Sequence, residues 1–170
     1  MGYRLFSDVT ADVSEELMAG MPPVELVPMQ VELGGENYTY GPGGNLTVAH
    51  FYAEQRAGKF ASTSQINPMV YRECFEKVLK EGEDILYLCF SSGLSSTLQS
   101  ANLCAQELRE EYPERRLIVV DTLCAAVGEA MLVREAARKQ QEGLSIEELA
   151  AWVEENRLKI CHWFTVDSFD

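Results

Sequence analysis

Two short runs, Asp84–Phe90 and Leu117–Val120, are apolar almost without interruption. Both are too short for a helix, so they read as strands buried on both faces. Helical patterns lie around them. Val70, Cys74, Phe75, Val78 and Leu79 recur at helical spacing behind an Asn67–Pro68 start, and Gly82 closes that helix. A helix over about Ser96–Glu111 is broken by Pro113, and one over about Ala125–Gln141 stops at Gly143. Ser145-Ile146-Glu147-Glu148 is a capping box that opens a helix to about Asn156.

The first third of the chain is patterned more weakly. Tyr3–Phe6 reads as a strand and Ser14–Gly20 as a short helix with Glu15 and Glu16 in its first turn. Val24–Leu33 reads as one extended β-rich segment, closed by Gly34-Gly35, with Asn37–Tyr40 returning as a hairpin strand. A helix follows over about Thr47–Ala57, while Phe60–Ile66 has no helical period and reads as a loop. Lys159–Val166 reads as a last strand. Apolar strands alternating with helices predict an α/β fold: a mainly parallel sheet with right-handed crossovers and helices on both faces.

Composition then removes several classes of function. The 170 residues are 46% hydrophobic and 24% charged, ordinary values for one globular domain with a real core. The net charge of −13 is not ordinary, because it repels the phosphates of nucleic acid and anionic lipid alike. No nucleic-acid partner is expected. The N-terminus lacks the apolar stretch of a signal peptide, and no run approaches the roughly 18 apolar residues of a membrane span. Five cysteines, odd in number and without a Cys-x-x-Cys pair, sit mostly in apolar segments. They read as buried reduced thiols of a cytoplasmic protein.

Ligands of an open parallel sheet collect at the carboxyl ends of its strands, where the topology reverses. The chain places hydroxyls there: Ser7, Asp8 and Thr10 after the first strand; Ser91, Ser92, Gly93, Ser95 and Ser96 after Asp84–Phe90; Asp121 and Thr122 after Leu117–Val120. A serine–glycine loop running into a helix aims hydroxyls, N–H groups and the positive end of a helix dipole at one point, which suits a carboxylate or a phosphate. The same serines also fit helix caps and turns, and Asp8 and Asp121 fit ties for loop N–H groups. Ala61-Ser62-Thr63-Ser64-Gln65, ahead of Asn67–Pro68, is a second loop of the same kind. Catalytic patterns are wanting. Gly93-Leu94-Ser95-Ser96-Thr97 ends in threonine where a hydrolase elbow has glycine, His50 and His162 stand alone, and no P-loop, dinucleotide fingerprint or metal-ligand spacing occurs. No cofactor is expected.

With both loops in place, the chain resembles the DegV family of fatty-acid-binding proteins. The likeness runs through Ser7-Asp8-Val9-Thr10-Ala11-Asp12, Val27–Val31, Thr63-Ser64-Gln65-Ile66-Asn67-Pro68, Phe90–Ala101 and Val119-Val120-Asp121-Thr122 with Val127-Gly128. The resemblance implies a two-lobed α/β protein that buries a long acyl chain between its lobes. It implies that Thr63 and Ser95 hold the carboxylate, with Ser64, Ser92, Gly93, Ser96, Asp8 and Thr122 around them. It further implies that a partner fatty-acid kinase phosphorylates the held carboxylate, so the binding protein is a carrier and not itself an enzyme. Ser96 and Ala130 stand where glycine is usual, Leu98 where tyrosine is common, and Ala126 where serine is usual.

On this likeness residues 1–165 form the first lobe and 166–170 begin a second, whose head-group arginine and histidine are not in this sequence. A lone first lobe is expected to expose an apolar face and to self-associate through it. Two other readings stay open: an enzyme or phosphotransferase acting on a small phosphorylated ligand through Asp8 or Asp121, and an interaction domain whose loops merely cap helices.

Overall fold

A computed structural model describes residues 2–165. Four strands form a parallel sheet: β1 (Tyr3–Asp8), β2 (Val24–Val27), β6 (Asp84–Cys89) and β7 (Leu117–Asp121), in the order β2-β1-β6-β7. Register aligns Phe6 with Glu25 on one side and with Tyr87 on the other, and Cys89 with Asp121. The chain leaves β1 towards one edge and returns beside it as β6, so the topological switch point lies between these two strands.

Strand alternation sorts the core into two layers. Phe6, Ile85, Tyr87 and Cys89 face α2 (Pro68–Lys80) and α3 (Thr97–Glu111), meeting Tyr71, Phe75 and Leu108. Leu5, Leu86 and Leu88 face α4 (Ala126–Gln141) and α5 (Ile146–Asn156), meeting Leu132, Val133 and Leu149. All six residues of β6 are buried, as a central strand covered on both faces requires. The expected α/β class, with helices on both faces of a parallel sheet, is what the chain forms.

A second, smaller sheet was only half anticipated. β3 (Met29–Leu33), β4 (Glu36–Tyr40) and β5 (Ala61–Thr63) form an antiparallel sheet in the order β4-β3-β5, and α1 (Val48–Arg56) packs near it around Val31, Leu33 and Leu46. The run Val24–Leu33 is therefore two strands: its first half pairs with β1, its second with β4 and β5, and Pro28 marks the break. Phe60–Ile66 is not wholly a loop, because Ala61–Thr63 pairs with β3. That pairing is long-range and leaves no mark in so short and polar a segment. Ser14–Gly20 forms turns and no helix, and only Leu17 and Met18 there are even partly buried. Lys159 ends a short 3-10 turn (Arg157–Lys159), and 160–165 form no strand. Val166 lies outside the described residues.

Among the described residues no helix is long and apolar enough to cross a membrane. The cysteines are unpaired; Cys89, Cys104 and Cys124 are buried, Cys74 is partly so, and Cys161 is exposed.

Candidate anion site at the carboxyl ends of the parallel strands

β1, β6 and β7 all end on the same rim, and three groups tie their loops together. Asp8 is completely buried. Its Oδ2 accepts from the Tyr87 hydroxyl at 2.9 Å and from the Phe90 N–H at 3.1 Å. Its Oδ1 accepts from the Thr10 N–H at 3.1 Å and from the Thr10 hydroxyl. Tyr71 adds a further link, its hydroxyl 3.0 Å from that of Tyr87. Thr122 is likewise fully buried, donating to Cys89 O at 2.7 Å and accepting from the Cys124 N–H at 3.1 Å. Asp121 accepts from the Ser92 hydroxyl at 2.5 Å and from the N–H groups of Ser92 and Leu123 at 3.2 and 3.1 Å. Asp8 and Thr122 thus have no free polar atom to offer a ligand. Within the protein both side chains serve as supports of the rim.

Further out, Ser92, Gly93 and Ser96 are exposed and Ser95 is half-buried, and of these Ser92 spends its hydroxyl proton on Asp121. Ser95 Oγ accepts from the Thr97 N–H at 3.2 Å and lies 2.9 Å from Thr97 Oγ1, and either hydroxyl can be the donor of that second bond. Ser96 occupies the N-cap of α3 without any side-chain capping bond. Among the described residues the N–H groups of Ser96 and Leu98 have no protein acceptor. Unpaired N–H groups at a helix start carry the positive end of the dipole. A Cβ on Gly93 would meet only Ser91 Oγ at 3.5 Å, so the space before it is open. The resulting concavity is lined by Ser92, Leu94, Ser95, Ser96, Leu98 and Gln99. It contains donors and apolar flanks but no charged side chain.

Thr63 and Ser64 are exposed at the end of β5, and neither hydroxyl is used by the protein. Thr63 lines a different concavity from Ser95, formed with the small sheet and α1. Ile66, just after Thr63-Ser64-Gln65, is buried in the same core cluster as Ala101, and Leu98 of the first turn of α3 packs against that cluster.

Sequence reasoning missed Glu129 altogether. It is fully buried in the first turn of α4, with Oε1 3.4 Å from Ser7 Oγ. Ser7 Oγ is also 3.0 Å from Leu88 O, and one hydroxyl proton cannot serve both acceptors. A protonated Glu129 resolves this by donating to Ser7. Burial first, and then the nearby Asp8 carboxylate, push its pKa up to about 10. The available signal is its position: a lone acid in the helical stripe that continues through Leu132, Val133 and Ala136. His162 was read as a strand residue. Instead it lies on the start of α4, its Nε2 accepting from the Ala125 N–H at 3.3 Å, and only a glycine at position 128 leaves room for the ring. Among the described residues no group of three or more His, Cys, Asp or Glu side chains is placed to hold a metal ion.

A parallel sheet with helices on both faces and unpaired helix N–H groups at its switch-point rim defines the class, an α/β protein. The family model described as "Uncharacterised protein, DegV family" matches residues 3–170, and the chain belongs to the DegV family. It is 39% identical over 168 residues to a DegV domain-containing protein of Clostridium perfringens, a match that covers 99% of this chain and 57% of the relative. The structure is similar to that of a DegV family protein from Thermus thermophilus described by its fatty-acid binding, at 33% identity and a TM-score of 0.77, over 93% of this chain and 54% of that one. A Thermotoga maritima protein described as revealing fatty acid binding function is similar at 28% identity and a TM-score of 0.76, over 92% and 55% of the two chains. The chain spans little more than half the length of these proteins.

Proposed function

We propose that this chain carries the head-group grip of a fatty-acid carrier that acts in the cytoplasm. A long-chain carboxylate is held by the hydroxyls of Thr63 and Ser95, with Ser64, Ser92, Gly93 and Ser96 lining its approach. The observation that carries this reading is the start of α3, where two N–H groups beside the Ser95 hydroxyl have no protein acceptor among the described residues. The identity to a Thermus thermophilus protein described by fatty-acid binding supports the choice of a carboxylate over a phosphate. The hydrocarbon tail runs over the exposed Leu94, Leu123 and Val127 beside the serine loop, with Met131 one helical turn beyond Val127.

In a two-lobed protein of the relatives' length, residues 1–165 serve as the first lobe, 166–170 lead into the second, and that lobe closes over the tail. The same apolar face makes self-association of the chain by itself part of this proposal. Presentation of the held carboxylate to a partner kinase, for acyl-phosphate formation, is the outermost step and follows from the family likeness. The chain acts in it as carrier.

Native mass spectrometry and displacement of a fluorescent fatty acid test the grip. Thr63→Ala and Ser95→Ala should each weaken palmitate binding about tenfold or more, since hydrogen bonds to a charged group are worth about 1.5–3 kcal/mol. Unchanged occupancy in both variants would leave the loops as simple helix caps. Release of a sugar or nucleotide phosphate in place of an acyl chain would favour the phosphorylated-ligand reading.

A further inference from the structure

The cavity of about 290 Å³ between the small sheet, α1 and the turn after β1 shares Thr63 with the grip on the head group and none of its other residues. Its walls are apolar below, with Val31 and Leu46, and aromatic above, with Tyr40, Phe51 and Tyr52. Among the described residues no lysine, arginine or histidine lines it, and Asp12 is its one carboxylate. That residue is held in the left-handed region, at φ 51°, by the closing turn of the segment after β1. Its carboxylate forms no ion pair or hydrogen bond among the described residues, and burial alone raises its pKa, with no cation to lower it. Asp12 is exposed overall, and where the cavity walls partly desolvate its unpaired carboxylate a cation would offset the lost hydration.

Three aromatic rings complete the chemistry. Phe51 and Tyr52 stand edge to face with centroids 5.3 Å apart, and ring faces attract cations within about 6 Å. At about 30 Å³ per water the space corresponds to about ten waters, room for an alkyl-guanidinium or alkyl-ammonium group with its stem. The net charge of −13 draws cations towards the protein and a second anion away. We propose that this cavity is a socket for one organic cation, an alkyl-guanidinium or alkyl-ammonium group, with its charge against Asp12 and its stem among Val31, Phe51 and Tyr52. The group comes either from a free small amine or from an arginine or lysine side chain of a protein partner. The proposal stands whether or not the anion beside it is a fatty acid.

Amide spectra of the ¹⁵N-labelled chain, titrated with n-butylguanidinium, n-butanol and sodium butyrate, test it. n-Butylguanidinium should shift the Thr10, Tyr40 and Tyr52 signals at a concentration at least tenfold below n-butanol, and butyrate should give no saturable shift. Asp12→Asn should bring the first two probes level. Asparagine tolerates the left-handed backbone as aspartate does, so this variant keeps its fold, and its own spectrum verifies that. Tyr52→Leu, which keeps the wall apolar but removes a ring, should weaken the cation severalfold and leave n-butanol unchanged. A Gly-Gly-Arg-Gly-Gly peptide that matches n-butylguanidinium assigns the socket to a protein side chain, and one that fails while n-butylguanidinium binds assigns it to a free amine. Equal response to n-butanol and n-butylguanidinium in the parent chain, an Asp12→Asn variant that still prefers the cation, or no shift with any probe would overturn the proposal.

Discussion

The rim of the parallel sheet and the small antiparallel sheet solve opposite problems with the same residue types. At the rim, Asp8 and Asp121 are spent on internal hydrogen bonds, one of them donated by Ser92, so the acids are silent and Ser96 outside them keeps its hydroxyl uncommitted. Beside the small sheet, Asp12 is left unspent and the hydroxyl and aromatic groups around it form walls. The rim rests on two large core layers, whereas the small sheet's cluster has Val31, Leu33 and Leu46 as its buried members, with partly buried residues such as Phe51 around them. An acid in this fold takes its role from whether the backbone around it supplies donors.

Removing a silent acid should therefore cost the most. Asp8→Ala strands the Tyr87 hydroxyl and the Phe90 N–H in a buried site, and each unsatisfied group costs about 1–3 kcal/mol. Urea denaturation should show a loss of about 3–5 kcal/mol, with cooperative unfolding of the whole chain. A loss below about 1 kcal/mol would mean that the rim is not held by this carboxylate.

Glu129 gives a pH signature to the same region. Its folded pKa is raised to about 10 from an ordinary value near 4.5, so between those limits the folded chain keeps a proton that the unfolded chain releases. Its stabilising contribution is complete below about pH 4.5 and is lost progressively as pH rises towards 10. Glu129→Gln keeps the shape and removes the titration. From pH 7 to pH 9 the parent should lose stability relative to Glu129→Gln, by up to about 2.7 kcal/mol at 1.36 kcal/mol per unit. Parallel curves for the two proteins would refute a protonated Glu129.

The small sheet should fail locally. Leu46→Ala removes one of its three buried anchors, at a cost of about 2 kcal/mol or more. Hydrogen exchange should then quicken in Glu36–Tyr40 and Val48–Arg56 while the amides of Asp84–Cys89 keep their protection. Equal quickening in both regions would erase the contrast between them.

What the amino-acid pattern made legible follows the same division. β6 and β7 declare themselves because both faces are buried and every position must be apolar, and α5 because Ser145 and Glu148 carry the whole capping box. β5 is silent because Ala-Ser-Thr gains its strand only from a partner far along the chain, and the break at Pro28 is hidden because both halves are equally β-like. Of the site, the loops were legible and the allocation of their polar atoms was not. Nothing in the spelling of Ser-Asp-Val-Thr-Ala-Asp says that Asp8 is saturated and Asp12 left over. That depends on which N–H groups the neighbouring strand presents.

The smallest effect is the one that separates capping from binding. Ser145 and Ser96 both occupy helix N-caps, but the Ser145 hydroxyl accepts from the Glu148 N–H at 3.3 Å, whereas the Ser96 hydroxyl accepts nothing. Capping serines are worth about 1 kcal/mol, so Ser145→Ala should cost about that much. Ser96→Ala should change stability by less than about 0.5 kcal/mol, the range of a surface substitution. If Ser96→Ala instead costs as much as Ser145→Ala, Ser96 is spent on holding the helix, and the start of α3 has one fewer free group with which to hold an anion.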